Sequence, residues 1–212
     1  IFVEFINGAS VTTTGGLPWF SGTAVSSGTS AVVTDETNRL GIVSMSSAAG
    51  ANSGWYYMTL NNTMFAQVGM TWESATKVQN TNAGARTSIG FHDVFNLNNP
   101  SDAIRVFRSN DTVYGQVFNS TTLTQTSGSA NVSSNQWLDV KIQIVATNQV
   151  QFDVWDGDTG ASLLSEKLTA TLPSTSARVF GMGILTGYTN AAAALLEYVD
   201  KMKFSVNKSM IR

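Results

Sequence analysis

The sequence of 212 residues contains no cysteine, a single histidine and only three prolines. The absence of cysteine excludes disulfides and thiolate metal sites, and it is compatible with assembly in a reducing cytoplasm. One histidine is too few for an ordinary histidine-based metal site or a paired proton relay. A chain of this length buries roughly 70% of the surface that its unfolded form exposes, so it needs no disulfide or structural metal ion for stability. We therefore expect neither a metal nor a cofactor.

Charged residues are also scarce. They make up 12% of the chain, and 12 Lys and Arg stand against 14 Asp and Glu. The sequence has no basic run, so it lacks the electrostatic footprint of a nucleic-acid-binding protein. No apolar stretch approaches the roughly 20 residues that a membrane span requires. We therefore expect neither nucleic acid nor a membrane as a partner.

Apolar and polar residues alternate along much of the chain, which is the pattern of half-buried β-strands. The clearest case is residues 138–144, where every second residue is Leu, Val or Ile. The same alternation resumes at Val150 after a polar break, which predicts a hairpin with a four-residue loop at 146–149. Further strands are predicted at 64–72, 87–95, 104–108, 113–118 and from about 194 to 206. Strands separated by such short polar breaks predict an all-β antiparallel β-sandwich.

The last predicted strand has one polar residue out of place. Leu196, Tyr198, Met202 and Phe204 would share an apolar face, but Asp200 falls on that face. This conflict predicts a β-bulge or a buried, hydrogen-bonded carboxylate at Asp200.

No shift in composition and no fixed repeat divides the chain, which predicts one domain over residues 1–212. Residues 1–15 are interpreted as an N-terminal arm or an edge strand. Within them, residues 1–6 place apolar side chains on both faces of a strand, and such a strand needs cover on both sides. We expect residues 1–6 to pair with a neighbouring subunit or to belong to a larger preceding segment.

The sequence Asp156-Gly157-Asp158-Thr159-Gly160 offers clustered oxygen ligands of the kind that calcium prefers. It lacks the further acidic positions of an EF-hand loop, and it follows a clearly predicted strand. Asp-Gly pairs are standard turn sequences. We therefore predict a turn here and not a metal site.

The only histidine, His92, is followed by Asp93, but adjacent residues of a strand point to opposite faces. Asp93 therefore cannot orient the His92 ring for acid–base chemistry, and a surface or groove histidine bonded to a neighbour is favoured. Aromatic side chains provide a second kind of candidate surface, since they stack on sugar rings and anchor protein interfaces. The candidate glycan or partner contacts are Trp55, Tyr57, His92 and Tyr188.

Two terminal blocks of the sequence resemble one recurring module. The first contains residues 22–25 (Gly-Thr-Ala-Val) and 38–46 (Asn-Arg-Leu-Gly-Ile-Val-Ser-Met-Ser), and the second contains residues 172–173, 179–184, 191–196 and 198–204. Together they resemble the concanavalin A-like (laminin G-like) jelly-roll domain of structural proteins in tailed bacteriophages. The resemblance implies a jelly-roll fold and a non-enzymatic virion protein, displayed on the particle surface and assembled in the host cytoplasm.

Three functions follow from this resemblance. A virion component would be a capsid decoration, head-fibre or tail-fibre module, with other virion proteins as partners and a contribution to host-surface attachment. Glycan binding is an alternative, since concanavalin A-like folds often bind glycans on the concave sheet or at loop ends. A polysaccharide-degrading enzyme is a second alternative, with Tyr188 and His92 as the first residues to test. The chain lacks the Glu-x-Asp-x-x-Glu run of jelly-roll hydrolases and its glutamates are scattered, so no catalytic residue is predicted.

The oligomeric state is predicted from the same features. Low charge leaves little repulsion between identical surfaces. Virion appendages of the resembled kind commonly sit on three-fold positions, and homo-oligomers usually close by rotation. We expect a symmetric homo-oligomer, with a trimer favoured.

Overall fold

The computed structural model describes residues 2–4, 21–25, 29–32, 39, 42–46, 54–58, 66–79, 81, 83–93, 96–173, 181–188 and 196–206. Every regular element within these residues is a β-strand. The strands are β1 (Phe2–Glu4), β2 (Ser21–Val25), β3 (Thr29–Val32), β4 (Val43–Ser46), β5 (Gly54–Met58), β6 (Met70–Val78), β7 (Ala85–His92), β8 (Ala103–Ser109), β9 (Thr112–Asn119), β10 (Thr122–Gln125), β11 (Ala130–Asn131), β12 (Gln136–Ala146), β13 (Gln149–Asp156), β14 (Ser162–Thr169), β15 (Gly181–Tyr188) and β16 (Leu196–Val206).

The strands form two antiparallel sheets of eight strands each. Sheet I has the order β14-β13-β12-β6-β16-β4-β3, and β1 pairs with β16 at its side. Sheet II has the order β10-β9-β8-β7-β15-β5-β2, and β11 pairs with β9. The predicted all-β antiparallel sandwich is confirmed. The two sequence blocks that carry the jelly-roll resemblance also meet in space, because β4 pairs with β16.

The hydrophobic core lies between the two sheets. Trp72 of sheet I meets Phe91 of sheet II edge to face, with ring centroids 6.4 Å apart, and Phe91 meets Phe204 in the same way at 6.1 Å. Aromatic pairs in this arrangement gain energy beyond the area they bury. Along β12 and β13, buried residues alternate with half-buried ones, as the sequence predicted for the 138–154 hairpin.

Two predicted strand boundaries are wrong. The hairpin connection between β12 and β13 spans only residues 147 and 148, because Ala146 pairs with Gln149 beyond a bulge. Residues 64 and 65 of the strand predicted at 64–72 lie outside the described residues, and from residue 66 onward the strand begins only at Met70. Gly69 adopts a φ of 88° in the turn before it and donates to the Ile144 carbonyl, which leaves Val68 47% exposed. Turn geometry therefore overrides the apolar alternation at this point.

The bulge predicted at Asp200 is confirmed. The register between β16 and β6 shifts between Val199 and Lys201, and the Asp200 carboxylate accepts a hydrogen bond from Arg39 at 3.0 Å. The extra residue reverses which side chains face the core. Glu197 and Val199 are therefore buried before the bulge, instead of the predicted Leu196 and Tyr198.

The N-terminal strand pairs within its own chain. Phe2, Val3 and Glu4 of β1 lie opposite Lys203, Met202 and Lys201 of β16. The predicted pairing of residues 1–6 with a neighbouring subunit, or their membership of a larger preceding segment, stays a prediction. The trimer itself stays a prediction.

Replacing Gly115 with alanine is expected to lower the free energy of unfolding by about 1–3 kcal/mol. A Cβ at this position would lie 2.5 Å from the Phe152 ring of the opposite sheet and 2.8 Å from Thr126 Cγ2, so the core would be overpacked. Urea denaturation measures the loss. In a double-mutant cycle, Phe152→Leu should cost less in the Gly115→Ala background than alone, and strictly additive costs would contradict the steric explanation.

Candidate functional site

The outward-facing side of sheet II carries a network of polar and aromatic side chains, most of them buried. On β7, Thr87, Ile89 and Phe91 face the core, so Ser88 and His92 face outward. Strand register places residues of β8, β9 and β15 beside them. We define the outer face of sheet II by the residues Arg86, Ser88, His92, Arg105, Phe107, Tyr114, Gln116, Phe118 and Leu185.

Arg105 lies at the centre of the outer face of sheet II and is 1% exposed. Its guanidinium stacks against two aromatic rings, 4.2 Å from the Phe107 centroid and 4.9 Å from that of Phe118. Its Nε donates to Gln116 Oε1 at 3.0 Å, and Gln116 Nε2 donates in turn to Gln125 Oε1 at 2.6 Å. This relay of amides links a buried cation to the exposed edge of the sheet at β10.

The chain between β7 and β8 turns back across the outer face of sheet II. Arg105 Nη1 donates to the Leu97 carbonyl at 2.7 Å and to Ser88 Oγ at 3.3 Å, and Nη2 contacts the Asn98 carbonyl at 3.5 Å. The side chain of Leu97 packs against Leu185. The segment of residues 96–102 therefore covers part of the face that the strands build.

His92 is fully buried, so the predicted surface or groove position is wrong. Neither of its ring nitrogens has a hydrogen-bond partner of normal geometry. Desolvation, with the nearby charge of Arg105, lowers its pKa from 6.5 to about 3, although the backbone of Gly183 opposes this shift. The ring is therefore neutral at physiological pH. Strand periodicity gave the correct face for His92, but it carries no information on the loop that closes over that face.

Acidic residues are absent from the strands of sheet II that the structure describes, whereas those strands contain Arg86, Arg105 and Arg108. The strands of sheet I contain the acidic residues Glu4, Glu73, Asp139, Asp153, Asp156, Glu166, Glu197 and Asp200. Glycosidases of the usual type need two carboxylates flanking the scissile bond. The outer face of sheet II has positive charge and no such pair on its described strands.

The other three candidate residues lie on strands next to β7. Trp55 and Tyr57 of β5 pair with Thr186 and Ile184 of β15, and Tyr188 ends β15 opposite Ala85. Their side chains lie outside the described part of the structure. His92 pairs with Gly181, seven residues from Tyr188 along β15, which corresponds to about 23 Å of extended chain. The backbone therefore places His92 and Tyr188 at opposite ends of sheet II, too far apart to act as a pair.

Arg105 and Gln116 were missed by the sequence analysis. Their signal is present in the sequence, because Arg105 interrupts an otherwise apolar run from Ala103 to Phe107. Arginine is almost never fully buried unless it is paired. An arginine between apolar residues on both sides therefore indicates either an exposed strand or a buried site in which the arginine has specific partners. Register and loop packing were needed to distinguish the two.

The predicted turn at 156–160 is confirmed. Asp156 Oδ1 accepts hydrogen bonds from the backbone N–H groups of Asp158 and Thr159, at 3.0 and 2.8 Å, and Gly160 adopts a φ of 74°. The hydrogen bond from Thr159 is the main cause that holds the pKa of Asp156 below its ordinary value. Among the described residues, no group of three or more His, Cys, Asp or Glu could hold a metal ion.

The outward side of sheet I has a different character. It carries an open depression lined by Thr71, Glu73, Lys141, Gln143, Ser205 and Val206. Lys203 Nζ lies 3.2 Å from Glu73 Oε1, with both side chains partly exposed. Partly exposed ion pairs of this kind each contribute little to the stability of the fold.

No helix in the described part of the chain is long and apolar enough to cross a membrane.

A family model described as "SO2946-like, C-terminal domain" matches residues 38–200. That match spans most of both sheets. The chain belongs to the SO2946-like C-terminal domain family. A search of curated proteins returned no match.

Solved structures confirm the fold of this family member. Protein SO2946 from Shewanella oneidensis MR-1, a protein of unknown function, superposes with a TM-score of 0.80 at 18% identity, over 100% of this chain and 87% of its own. An endo-β-1,4-glucuronan lyase from the fungus Trichoderma reesei gives 0.63 at 13% identity, over 95% and 96%. The Emp47p carbohydrate recognition domain gives 0.61 at 12% identity, over 98% and 95%. These neighbours share the concanavalin A-like jelly-roll sandwich, and identities this low show the fold alone.

Proposed function

We propose that the chain is a non-enzymatic carbohydrate-binding module that recognises glycans with the outer face of sheet II. The observation that carries the proposal is the composition of this face. It combines aromatic rings, an amide and guanidinium groups, the kinds of group that stack on sugar rings and bond to sugar hydroxyls, and its described strands offer no carboxylate. Tyr114 and Arg86 are its partly exposed members, whereas Phe107, Phe118 and Arg105 are buried. The lectin-like fold makes such a role possible without demanding it.

A binding role is favoured over a catalytic one by two further features. The buried histidine lies far from Tyr188 along β15, so the pair considered for a polysaccharide-degrading enzyme is not brought together. Among the strands that the structure describes, the carboxylates that general acid–base hydrolysis requires lie only on those of the opposite sheet. Arg105 and Gln116 of the outer face are held in place by hydrogen bonds and ring contacts. Polar groups fixed in this way are suited to binding a glycan.

The test is a calorimetric titration with neutral and acidic oligosaccharides, using Tyr114→Ala on the outer face of sheet II. Tyr114 lies opposite Phe107 in register and is half-buried at the rim of the face. Loss of its ring should raise the dissociation constant about five- to tenfold. The matched control is Gln143→Ala on the outward side of sheet I, which should leave binding within twofold. If no oligosaccharide binds at millimolar concentration, or if both variants weaken binding equally, the proposal fails.

We also propose that this module is carried on a bacteriophage particle, as a capsid decoration or fibre module without enzymatic activity. The support is the resemblance of the two terminal sequence blocks, which form paired strands in the structure. Glycan recognition would then serve attachment to the host surface. Mass spectrometry of purified particles tests the location, and absence of the chain from intact virions would refute it while leaving the glycan-binding proposal untouched.

A further inference from the structure

The Arg105 cation is buried without a carboxylate partner among the described residues. Its hydrogen-bond acceptors are one amide oxygen, one hydroxyl and two main-chain carbonyls, all of them neutral. Within the described part of the chain, the neighbouring charge that acts on it is another cation, Arg86. A buried charge without a counter-ion is costly, so natural proteins pair buried arginines with carboxylates or leave them for a ligand.

The contacts at the guanidinium resemble those that a carboxylate would make. A carboxylate binds arginine with two parallel hydrogen bonds to the guanidinium fork. Here the carbonyl oxygens of Leu97 and Asn98 occupy that fork, at 2.7 Å from Nη1 and 3.5 Å from Nη2. The second contact is long for a hydrogen bond. The two consecutive carbonyls therefore fill a bidentate anion position incompletely.

His92 supplies a second, independent indication of a ligand. Its side chain is 0% exposed, and in the described part of the chain neither ring nitrogen has a hydrogen-bond partner of normal geometry, although the backbone of Gly183 lies near the ring. On the outer face of sheet II, it lies opposite Ala103 and diagonally beside Arg105, at the spacing of about 7–8 Å that is usual for diagonal neighbours on paired strands. A neutral imidazole offers one donor and one acceptor, which suits a sugar hydroxyl. Buried polar groups that stay unpaired in a folded protein call for such an explanation.

Main-chain hydrogen bonds hold the segment that covers the site at its ends. The N–H of Asp93 donates to the Asp102 carbonyl at 3.0 Å, and that of Thr121 donates to the Ser101 carbonyl at 2.8 Å. Between these anchors, Asn96 Oδ1 accepts from the N–H groups of Asn98 and Asn99 at 3.0 Å. Asn98 and Asn99 are exposed. The middle of the segment is thus organised locally and is tied to the sheet through Arg105 and Leu97.

We propose that the outer face of sheet II selects acidic sugars, and that a uronate carboxylate replaces the Leu97 and Asn98 carbonyls at Arg105. In this complex Ser88 and Gln116 keep the guanidinium oriented, and His92 bonds to a hydroxyl of the same sugar ring. Residues 96–99 move aside to admit the ligand. This inference rests on the proposed glycan-binding function and narrows its ligand to hexuronate-containing glycans.

The experiment compares matched pairs of tetrasaccharides that differ only in the carboxylate: glucuronate with glucose, galacturonate with galactose, and mannuronate with mannose. We expect at least one uronate member to bind tenfold or more tightly than its neutral counterpart. In Arg105→Gln this ratio should fall below threefold. Lys141→Gln removes the same charge from the outward side of sheet I and should preserve the ratio.

A wild-type NMR titration keeps the proposal testable if Arg105→Gln fails to fold. The Nε–H signal of Arg105 and the amide signals of Leu97 and Asn98 should shift on binding of the uronate ligand. If neutral and acidic members bind equally and these signals stay in place, acid selection is refuted and glycan binding stands. If no member of any pair binds, both proposals are refuted.

Discussion

Replacing Arg108 with methionine is expected to lower the free energy of unfolding by about 3–5 kcal/mol. Arg108 Nη2 lies 3.0 Å from Glu197 Oε2, and their side chains are 3% and 1% exposed. Thr87 completes the cluster, since its hydroxyl donates to the same carboxylate oxygen at 3.2 Å. Burial raises the pKa of Glu197, and the charge of Arg108 opposes that rise. Without Arg108 the carboxylate would be left uncompensated between the two sheets.

The double variant Arg108→Met, Glu197→Leu separates loss of the pair from loss of packing. Replacing both partners of a buried ion pair with apolar residues is often neutral or stabilising, whereas removing one leaves a buried charge. We therefore expect the double variant to recover most of the stability that Arg108→Met loses in urea denaturation. As a control, Lys203→Met breaks a partly exposed pair and should cost less than about 1 kcal/mol. A double variant as unstable as the sum of both single variants would contradict this account.

How far the sequence predicts the fold differs between the two sheets. In sheet I, β12 and β13 have one face in the core and the other in contact with solvent, so alternation identified both strands and the hairpin between them. In sheet II, nearly every residue of β7 and β8 is buried. Alternation there shows which residues share a face, but not that both faces are covered. The sequence therefore predicted the strands of sheet II without revealing the site on its outer face.

The bulge at Asp200 shows what a conflict within a sequence pattern can reveal. One acidic residue on an apolar face was enough to predict the irregularity, because a carboxylate does not pack in a core without partners. The consequence for Glu197 was not predicted. An extra residue in one strand exchanges inward and outward positions on one side of the bulge, and this exchange moves Glu197 to Arg108. That contact joins residues 89 positions apart, and a local sequence pattern cannot predict a contact over this separation.

The stability of the protein is expected to fall by about 1.6 kcal/mol between pH 6.5 and pH 5 because of His92 alone. Burial and the charge of Arg105 lower the pKa of His92 from 6.5 to about 3 in the folded state. Between these values the unfolded chain binds a proton that the folded chain does not. The free energy of unfolding therefore decreases as the pH falls, by at most about 1.4 kcal/mol for each pH unit.

The variant His92→Gln has no group at this position that titrates, so the loss of stability that His92 causes between pH 6.5 and 5 should be absent from it. Glu197, whose raised pKa acts in the opposite direction, contributes equally to both proteins. The native carboxylates with lowered pKa values, Asp156 and Glu166, add their own loss of stability only at lower pH. Urea denaturation of both proteins at half-unit steps of pH measures the difference in slope. Equal slopes would show that His92 is protonated as readily in the folded protein as in the unfolded chain. The outer face of sheet II would then be open to water around the imidazole, contrary to the closed arrangement under residues 96–102.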